Sequence, residues 1–277
     1  MKTTETLAIR EEDVALLLNE LLEKHGYDFT HYAHSSLRRR IKRLMSLDGL
    51  PSFAELLYRL RNEANYIQHF VEEITVNVTE MFRDPSLFKT IKETIVPQLA
   101  TYPLIRVWHA GCASGEEVYS MAILLHEAGL LHKSLLYATD INPAVIKNLR
   151  TGIFPLSQMK QYSENYIAAG GKKDYSTYYT AKYDLVKFNP ELKKKIIPAL
   201  HNLVSDRSFN EFHIIFCRNV LIYFDKNLQD HVLSLFDDSM DKRGFLVLGS
   251  KENIRFSPIN SKYSQWHKGE KIWRRIM

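Results

Sequence analysis

Apolar residues recur at helical spacing through the first 75 residues of the chain. The stretches are interrupted at Gly26 and at Gly49-Leu50-Pro51, where helices are expected to end. The repeating positions are Val14, Leu17, Leu18 and Leu21, then Leu37, Ile41 and Leu44, then Phe53, Leu56, Leu57 and Leu60. This pattern predicts a small N-terminal all-α domain over residues 1–75.

From Leu104 the pattern changes to short apolar strands that alternate with helices. Residues 104–109 precede a predicted helix from Glu116 to Ala128, and residues 134–139 precede one from Pro143 to Leu149. Further strands are predicted at 196–200, 212–217, 245–248 and 271–276, with a helix between Leu228 and Met240. Such alternation predicts an α/β domain over residues 76–277, doubly wound around a mostly parallel, Rossmann-like sheet.

A segment rich in Tyr, Lys, Thr and Gly interrupts this domain. Polar and apolar residues alternate at 177–180 and at 185–188, as they do in half-buried strands. We therefore expect an inserted antiparallel β-subdomain at about 160–190, with an exposed edge.

Composition narrows the class of protein. The 277 residues are 45% hydrophobic and 25% charged, which is typical of a globular protein, and two cysteines are too few for a disulfide framework or a zinc site. No metal site is predicted. The acidic N-terminus and the lack of a long apolar run predict a cytoplasmic location, and without a coiled-coil repeat a monomer is expected.

The formal net charge of +5 favours an anionic partner, which leaves nucleic acid, an anionic membrane surface or an acidic protein face open. Five of the cations, Arg38, Arg39, Arg40, Lys42 and Arg43, lie on the second predicted helix. By itself, this cluster is most simply a solvated helix face.

The segment from Val107 to Glu117 carries the most specific chemistry. It reads as a strand, a turn with Gly111 and Gly115, and a helix, an arrangement that lets the backbone approach a nucleoside closely. The spacing departs from the dinucleotide fingerprint, and Glu116 and Glu117 would repel a pyrophosphate. NAD and FAD are therefore unexpected.

Acidic residues instead suit S-adenosylmethionine, which carries an ammonium group and ribose hydroxyls where a dinucleotide carries phosphates. Asp140 ends the next strand and could accept hydrogen bonds from both ribose hydroxyls. The alternative for Asp140 is an N-cap on the following helix, although Asn142, directly before Pro143, is better suited to that role.

Several motifs occur in order along the chain: NVTEMFRD at 77–84, AGCASGEEVYS at 110–120, ATDIN at 138–142, HNL at 201–203 and FCRNVLIYF at 216–224. Together they resemble the CheR family of chemoreceptor glutamate methyltransferases. The resemblance implies an S-adenosylmethionine-dependent methyltransferase that converts glutamate side chains on the cytoplasmic helical domain of methyl-accepting chemoreceptors to 5-O-methyl esters, in chemotaxis adaptation, and releases S-adenosylhomocysteine.

The resemblance also implies roles for individual residues. Asn77, Thr79 and Arg83 would approach the methionine end of the cofactor, Glu117 its ammonium and Asp140 its ribose. Asn202, Leu203, Asn219 and Val220 would border the adenine and the sulfonium, and the backbone at Gly111 would approach the cofactor. Glu116 ranks below Glu117, because the family's ligand matches the second acid.

Arg83 and Tyr223 are the predicted catalytic residues. A planar guanidinium is well shaped to pair with a carboxylate of the cofactor or the acceptor, and the Tyr223 hydroxyl would hold the acceptor or the sulfonium. The alternatives are a surface ion pair between Arg83 and Asp84, and a buried aromatic role for Tyr223.

The basic helix and the β-subdomain are the expected contact surfaces for a glutamate-rich receptor helix. A nucleic-acid partner is not expected, because Cys217-Arg218-Asn219-Val220 stands where a base-amine methyltransferase needs an N/D-P-P-Y/W segment.

Ser250 and Lys251 replace the family's usual His-Ser before Glu252. Two alternatives therefore stay open: a cofactor-sensing or scaffold module, and another acidic protein or small acid as acceptor.

Overall fold

The computed structural model describes residues 9–75, 79–267 and 269–277. These residues form two compact units. The first contains the described residues up to Thr75 together with Tyr223–His231, and the second contains residues 79–222 and 232–277. Among the described residues, no helix is both long enough and apolar enough to span a membrane.

Within the described residues, four helices lie entirely in the first unit. They are α1 (Glu11–His25), α2 (His34–Leu47), α3 (Phe53–Asn62) and α4 (Tyr66–Ile74). Acidic residues occupy the first turn of α1, where they complement the helix dipole, and Gly26 ends it with φ of 73°. The predicted apolar stripe of α2, made by Leu37, Ile41 and Leu44, is fully buried.

The second unit alternates strands and helices, as the pattern from Leu104 predicts. It begins with α5 (Pro85–Thr90), a π-helical turn (Ile91–Ile95) and α6 (Val96–Leu99). The remaining elements are β1 (Ile105–Ala110), α7 (Glu116–Glu127), β2 (Ser134–Asp140), α8 (Pro143–Thr151), β3 (Ile153–Pro155), α9 (Met159–Ala168), β4 (Tyr179–Lys182), β5 (Leu185–Phe188), α10 (Pro190–Lys193), β6 (Ile196–Leu200), β7 (Phe212–Cys217), α11 (Lys226–Asp238, which begins in the first unit), β8 (Met240–Leu248), β9 (Tyr263–His267) and β10 (Ile272–Arg275).

Seven strands form the main sheet in the order β6-β2-β1-β7-β8-β10-β9. The pairs β6–β2, β2–β1, β1–β7 and β7–β8 are parallel, and β10 runs antiparallel to both of its neighbours. The chain builds outward from β1 through β2 to β6, and then returns to place β7 on the other side of β1. The carboxyl ends of β1 and β7 therefore flank a topological switch point, where ligands bind in open α/β sheets.

The inserted subdomain is a three-stranded antiparallel sheet in the order β3-β5-β4. Its first strand lies at Ile153–Pro155, before the predicted boundary, and α9 occupies residues that the sequence pattern placed in the antiparallel insert. Two further differences concern β8, which begins at Met240 in place of Phe245, and β9, which the sequence analysis did not predict.

Candidate functional site

The loop after β1 is pressed against two other parts of the second unit. The amides of Gly111 and Cys112 both donate to the carbonyl of Thr139 at 2.9 Å, which ties the loop to the end of β2. Gly111 has φ of 73°, and a Cβ there would lie 2.5 Å from Cγ2 of Val220. A side chain at Gly111 would therefore be strained and would collide with the loop that follows β7.

Asp140 organises the turns at the ends of β1 and β2. Its Oδ2 accepts from the amide of Ala113 at 3.0 Å, and its Oδ1 accepts from the amide of Asn142 at 3.0 Å. The N-cap of α8 is Asn142, whose Oδ1 accepts from the amide of Ala144 at 2.9 Å. Burial raises the pKa of Asp140 above its ordinary value, although these backbone donors act to lower it. Asp140 thus lies at the carboxyl end of the strand next to β1.

Glu117 lies on the first turn of α7 between His109 and Arg218. Its Oε1 is 2.8 Å from Nδ1 of His109, and its Oε2 accepts from Nη1 of Arg218 at 3.0 Å. Burial acts to raise the pKa of Glu117, but the hydrogen bond from His109 and the charge of Arg218 outweigh it and leave the pKa below its usual value. Glu117 is therefore an anion at neutral pH.

Arg218 connects Glu117 to the segment that carries Arg83. Its Nη2 donates to the carbonyl of Arg83 at 3.2 Å and pairs with the carboxylate of Asp84. The side chain of Arg218 is only 3% exposed. The acid next to Arg83 therefore pairs with Arg218, and the buried guanidinium holds three parts of the chain together.

The backbone around Arg83 is strained and firmly held. Phe82 and Asp84, on either side of it, have φ of 52° and 58°, in the left-handed region that favours glycine. Two hydrogen bonds hold this backbone in place. The amide of Phe82 donates to Oγ of Ser120 at 2.8 Å, and Nδ2 of Asn165 donates to the carbonyl of Met81 at 3.0 Å. These bonds fix the direction in which the Arg83 side chain leaves the backbone.

Asn202 and Leu203 lie in the loop after β6, at the same edge of the sheet. The last residue of β6, Leu200, pairs with Asp140 in the parallel register, and the amide of His201 donates to the carbonyl of Asp140 at 3.2 Å. Leu203 is buried. The structure therefore brings the loops of Gly111, Asp140, Asn202 and Asn219 to one edge of the sheet.

The remaining predicted residues are Asn77, Thr79 and Tyr223. Thr79 is half-buried, two residues before Met81, and Asn77 lies outside the described residues. Tyr223 belongs to the first unit, where the guanidinium of Arg40 stacks 4.3 Å from its ring centroid and the amide of Ala33 donates to its carbonyl at 2.8 Å. Its catalytic role stays a prediction.

Arg40 corrects one expectation for the basic helix. It is 9% exposed, and its Nη1 donates to the carbonyl of Ile74 at 2.5 Å, so it is not available as a contact for a partner. Arg39 and Arg43 are exposed on the same helix, and Arg38 pairs with Glu11 at 2.7 Å. The exposed cationic surface is therefore narrower than the sequence suggests.

The sequence analysis did not predict that four ionisable side chains are buried here: His109, Glu116, Arg218 and Glu252. Burial raises the pKa of Glu116 to about 7, despite hydrogen bonds from Ser114 at 2.7 Å and Tyr162 at 3.4 Å that act to lower it. The signal for Arg218 was its position at the end of an apolar strand, where a cation must find an acid.

Comparison with known proteins decides the family. A profile of the CheR methyltransferase all-alpha domain matches residues 12–75, and one of the CheR methyltransferase SAM binding domain matches residues 77–269. The chain belongs to the CheR methyltransferase family. The resemblance stated from the sequence motifs is thereby confirmed, and so is S-adenosylmethionine as the cofactor of this CheR-family protein.

Three relatives show how the similarity is distributed. Cher3 of Pseudomonas putida, assigned as a methyltransferase, is 41% identical over 263 residues, covering 95% of this chain and 96% of that protein. A chemotaxis protein methyltransferase of Listeria innocua is 30% identical over 88% of this chain and 91% of its own length. One from Salmonella typhimurium is 29% identical over 92% and 88%.

The residues at the CheR-family switch point fit the cofactor chemically. An anionic Glu117 suits an ammonium group, and Asp140 offers a carboxylate at the carboxyl end of the next strand, where hydroxyls of a ribose can donate. The absence of a side chain at Gly111 lets Val220 of the loop after β7 pack directly against this backbone. The acids make the same loop unfavourable for a pyrophosphate.

Proposed function

We propose that this CheR-family protein transfers the methyl group of S-adenosylmethionine to glutamate side-chain carboxylates of chemoreceptors and forms glutamate 5-O-methyl esters. The observation that carries the proposal is the match of both family domains, in order, over residues 12–75 and 77–269. The names of the Listeria and Salmonella relatives add support, because both are chemotaxis protein methyltransferases.

The chemistry requires little of the protein beyond alignment and exclusion of water. When bound, S-adenosylmethionine supplies an electrophilic methyl group on a sulfonium. A glutamate carboxylate has an unperturbed pKa of about 4.3, so it is already a nucleophile at neutral pH and needs no general base. An attacking oxygen must approach in line to about 3–3.5 Å, which makes positioning the main source of rate.

The buried charges of the second unit are suited to this positioning. We assign Glu117 to the cofactor ammonium and Asp140 to the ribose, with Asn202, Leu203, Asn219 and Val220 along the remaining cofactor surface and Asn77 and Thr79 near its methionine end. Arg83 would orient a carboxylate from the rigid segment that Arg218 holds. Tyr223 would contribute its hydroxyl, and unchanged turnover in a Tyr223→Phe variant would remove it from the mechanism.

Exposed cations of the first unit would attract the acidic methyl acceptor. Arg39 and Arg43 are exposed on α2, and receptor helices that can be methylated are rich in glutamate, so opposite charges would speed encounter. The β-subdomain remains the second proposed contact surface, because the outer residues of β4, from Thr180 to Lys182, are exposed.

Two observations favour a second class of acceptor, another acidic protein or a small acid. Cher3, the relative with 41% identity, bears a name that gives no substrate, whereas the relatives named for chemotaxis are about 30% identical. Ser250 and Lys251 also depart from the family's usual residues. Another acidic protein would use the same site and the same in-line chemistry.

The test is incubation with methyl-labelled S-adenosylmethionine and chemoreceptor-containing membranes, followed by mild base. Carboxyl methyl esters release methanol under these conditions, whereas N-methyl groups are retained. Base-labile label on the receptor band is expected. Label on a different acidic protein would favour the second acceptor class, and absence of label despite cofactor binding would favour a sensing module.

A further inference from the structure

The loop after β7 is held by a carboxylate from a distant part of the chain. Glu252 lies in the turn after β8, and its side chain is buried, with 4% of the residue exposed. Its Oε1 accepts from the amides of Val220 at 2.9 Å and Ile222 at 3.3 Å. Its Oε2 accepts from the amides of Asn219 at 3.0 Å and Gly249 at 2.6 Å. One side chain therefore binds four backbone donors.

This loop needs such a partner because its backbone is irregular. Asn219 has φ of 61°, in the left-handed region, and lies between the end of β7 and the 3-10 turn Leu221–Tyr223. Strain of this kind persists only where surrounding contacts fix the conformation. Removal of the Glu252 carboxylate would leave three part-buried amides and the buried amide of Gly249 without this acceptor, which is costly.

Gly249 makes the close approach possible. A Cβ at Gly249 would lie 2.7 Å from Oε2 of Glu252 and 2.9 Å from the amide nitrogen of Asn219. The glycine is therefore required here for space. The turn that contains Ser250 and Lys251 departs from the family pattern in its side chains, yet it retains both the glycine and the carboxylate that contact the loop.

The loop fixed in this way forms one wall of the switch point. Val220 approaches Gly111 so closely that a Cβ at Gly111 would collide with it, and both residues lie where the cofactor is assigned. Movement of Val220 would change the space beside Gly111. The position of Val220 thus depends on Glu252, which does not itself line the space at Gly111.

We propose that Glu252 is a positioning residue for cofactor binding, which acts by holding Asn219, Val220 and Ile222 through its two carboxylate oxygens. The proposal rests on the assignment of Asn219 and Val220 to the cofactor site, and it does not depend on the identity of the methyl acceptor. Glutamine is the informative substitution at this position, because it preserves size and replaces one acceptor oxygen by an NH2 group that faces amide donors.

The experiment is calorimetric titration of S-adenosylhomocysteine into wild-type protein and the Glu252→Gln and Glu211→Gln variants. Glu211 is exposed at the opposite end of β7, so its variant is a matched control for the loss of one carboxylate. We expect Glu252→Gln to weaken binding by about tenfold or more and Glu211→Gln to leave it unchanged. In turnover, the KM for cofactor should rise while the KM for acceptor stays constant.

A folded Glu252→Gln variant that binds within about twofold of wild type would overturn the proposal, given that a lost buried hydrogen bond has a larger effect. If that variant does not fold, Gly249→Ala is the second test. It retains the Glu252 carboxylate, but its Cβ pushes the carboxylate out of position. A folded Gly249→Ala variant with weakened binding supports the proposal, and one with unchanged binding overturns it. If neither variant folds, Glu252 serves the stability of the whole unit and the proposal fails. Since the titration contains no acceptor, absence of receptor methylation would leave its result intact.

Discussion

Two charged regions of this CheR-family protein are built in opposite ways. At the carboxyl end of the main sheet, the side chains of Arg218 and Glu117 are only 3% and 15% exposed, and they pair with each other within the second unit. On α2 in the first unit, Arg39 and Arg43 are exposed to solvent. A buried charge must be paired to be tolerated, whereas an exposed charge costs little and acts at a distance.

The contrast separates two functions that both depend on charge. Substitution of a paired buried charge should disturb cofactor binding and stability, because its partners lose their compensation. Substitution of an exposed charge should leave the fold intact and change only the encounter with an acidic partner. Arg40 belongs with the buried charges, although it lies on the basic helix.

The largest effect is expected from Arg218→Met. Loss of the guanidinium leaves the half-buried Glu117 without its arginine, and it leaves the carbonyl of Arg83 and the carboxylate of Asp84 without this donor. Breaking a buried pair in this way costs about 3–5 kcal/mol of the free energy of unfolding. Chemical denaturation measures it, with the exposed Arg255→Met as control. Equal midpoints for the two variants would contradict the account.

Glu116 should make stability depend on pH in a defined direction. Burial raises its pKa from 4.5 to about 7, so the unfolded protein loses this proton at lower pH than the folded protein does. The contribution of Glu116 to the free energy of unfolding is therefore fully present below about pH 4.5, and it is lost as the pH rises through about 7.

A Glu116→Gln variant isolates this effect. Between about pH 5 and pH 8 the wild type should lose about 2–3 kcal/mol of unfolding free energy relative to Glu116→Gln. The Glu191→Gln variant, at an exposed position, is the control for the loss of one carboxylate. Urea unfolding at the two pH values measures the free energy of unfolding of each protein. If wild type and Glu116→Gln show the same change with pH, the pKa of Glu116 is not raised.

Arg40 and Arg39 test the division within a single helix. Arg40→Gln removes a charged donor from the carbonyl of Ile74 and a cation from the Tyr223 ring, which should cost about 1.5–3 kcal/mol of stability. The adjacent Arg39→Gln should stay within about 0.5 kcal/mol of wild type. Thermal unfolding distinguishes them, and similar losses would mean that burial does not separate the two arginines.

The smallest effect on stability is expected from Arg39→Glu combined with Arg43→Glu. Both side chains are exposed, so the melting temperature should change little. The KM for receptor should rise several-fold at low salt, and the difference from wild type should shrink as salt screens the charges. A defect that does not respond to salt would point to a local structural change.

The sequence predicted those parts of the molecule that depend on local signals. Asn142 and Pro143 mark the start of α8, and the glycine loop and Asp140 indicated the edge of the sheet where the loops of Gly111, Asp140, Asn202 and Asn219 meet. These signals are readable because a cap or a tight turn requires particular residue types at adjacent positions.

The remainder depended on contacts between distant positions. Five neighbouring cations on α2 look alike in the sequence, and only the carbonyl of Ile74 and the ring of Tyr223 explain why Arg40 is buried. Glu252 meets amides about 30 residues away, which no local pattern encodes. Helix α9 was missed because its buried face mixes Met159 with tyrosines and Asn165.

The most direct test of the account is a crossed measurement on two variants. The dissociation constant for S-adenosylhomocysteine and the KM for chemoreceptor are determined for Glu117→Gln and for the double variant Arg39→Glu, Arg43→Glu. The account predicts that Glu117→Gln weakens cofactor binding by about tenfold or more and that the double variant changes only the receptor KM. Loss of cofactor affinity in the double variant, or its retention in Glu117→Gln, would contradict the division between buried and exposed charge.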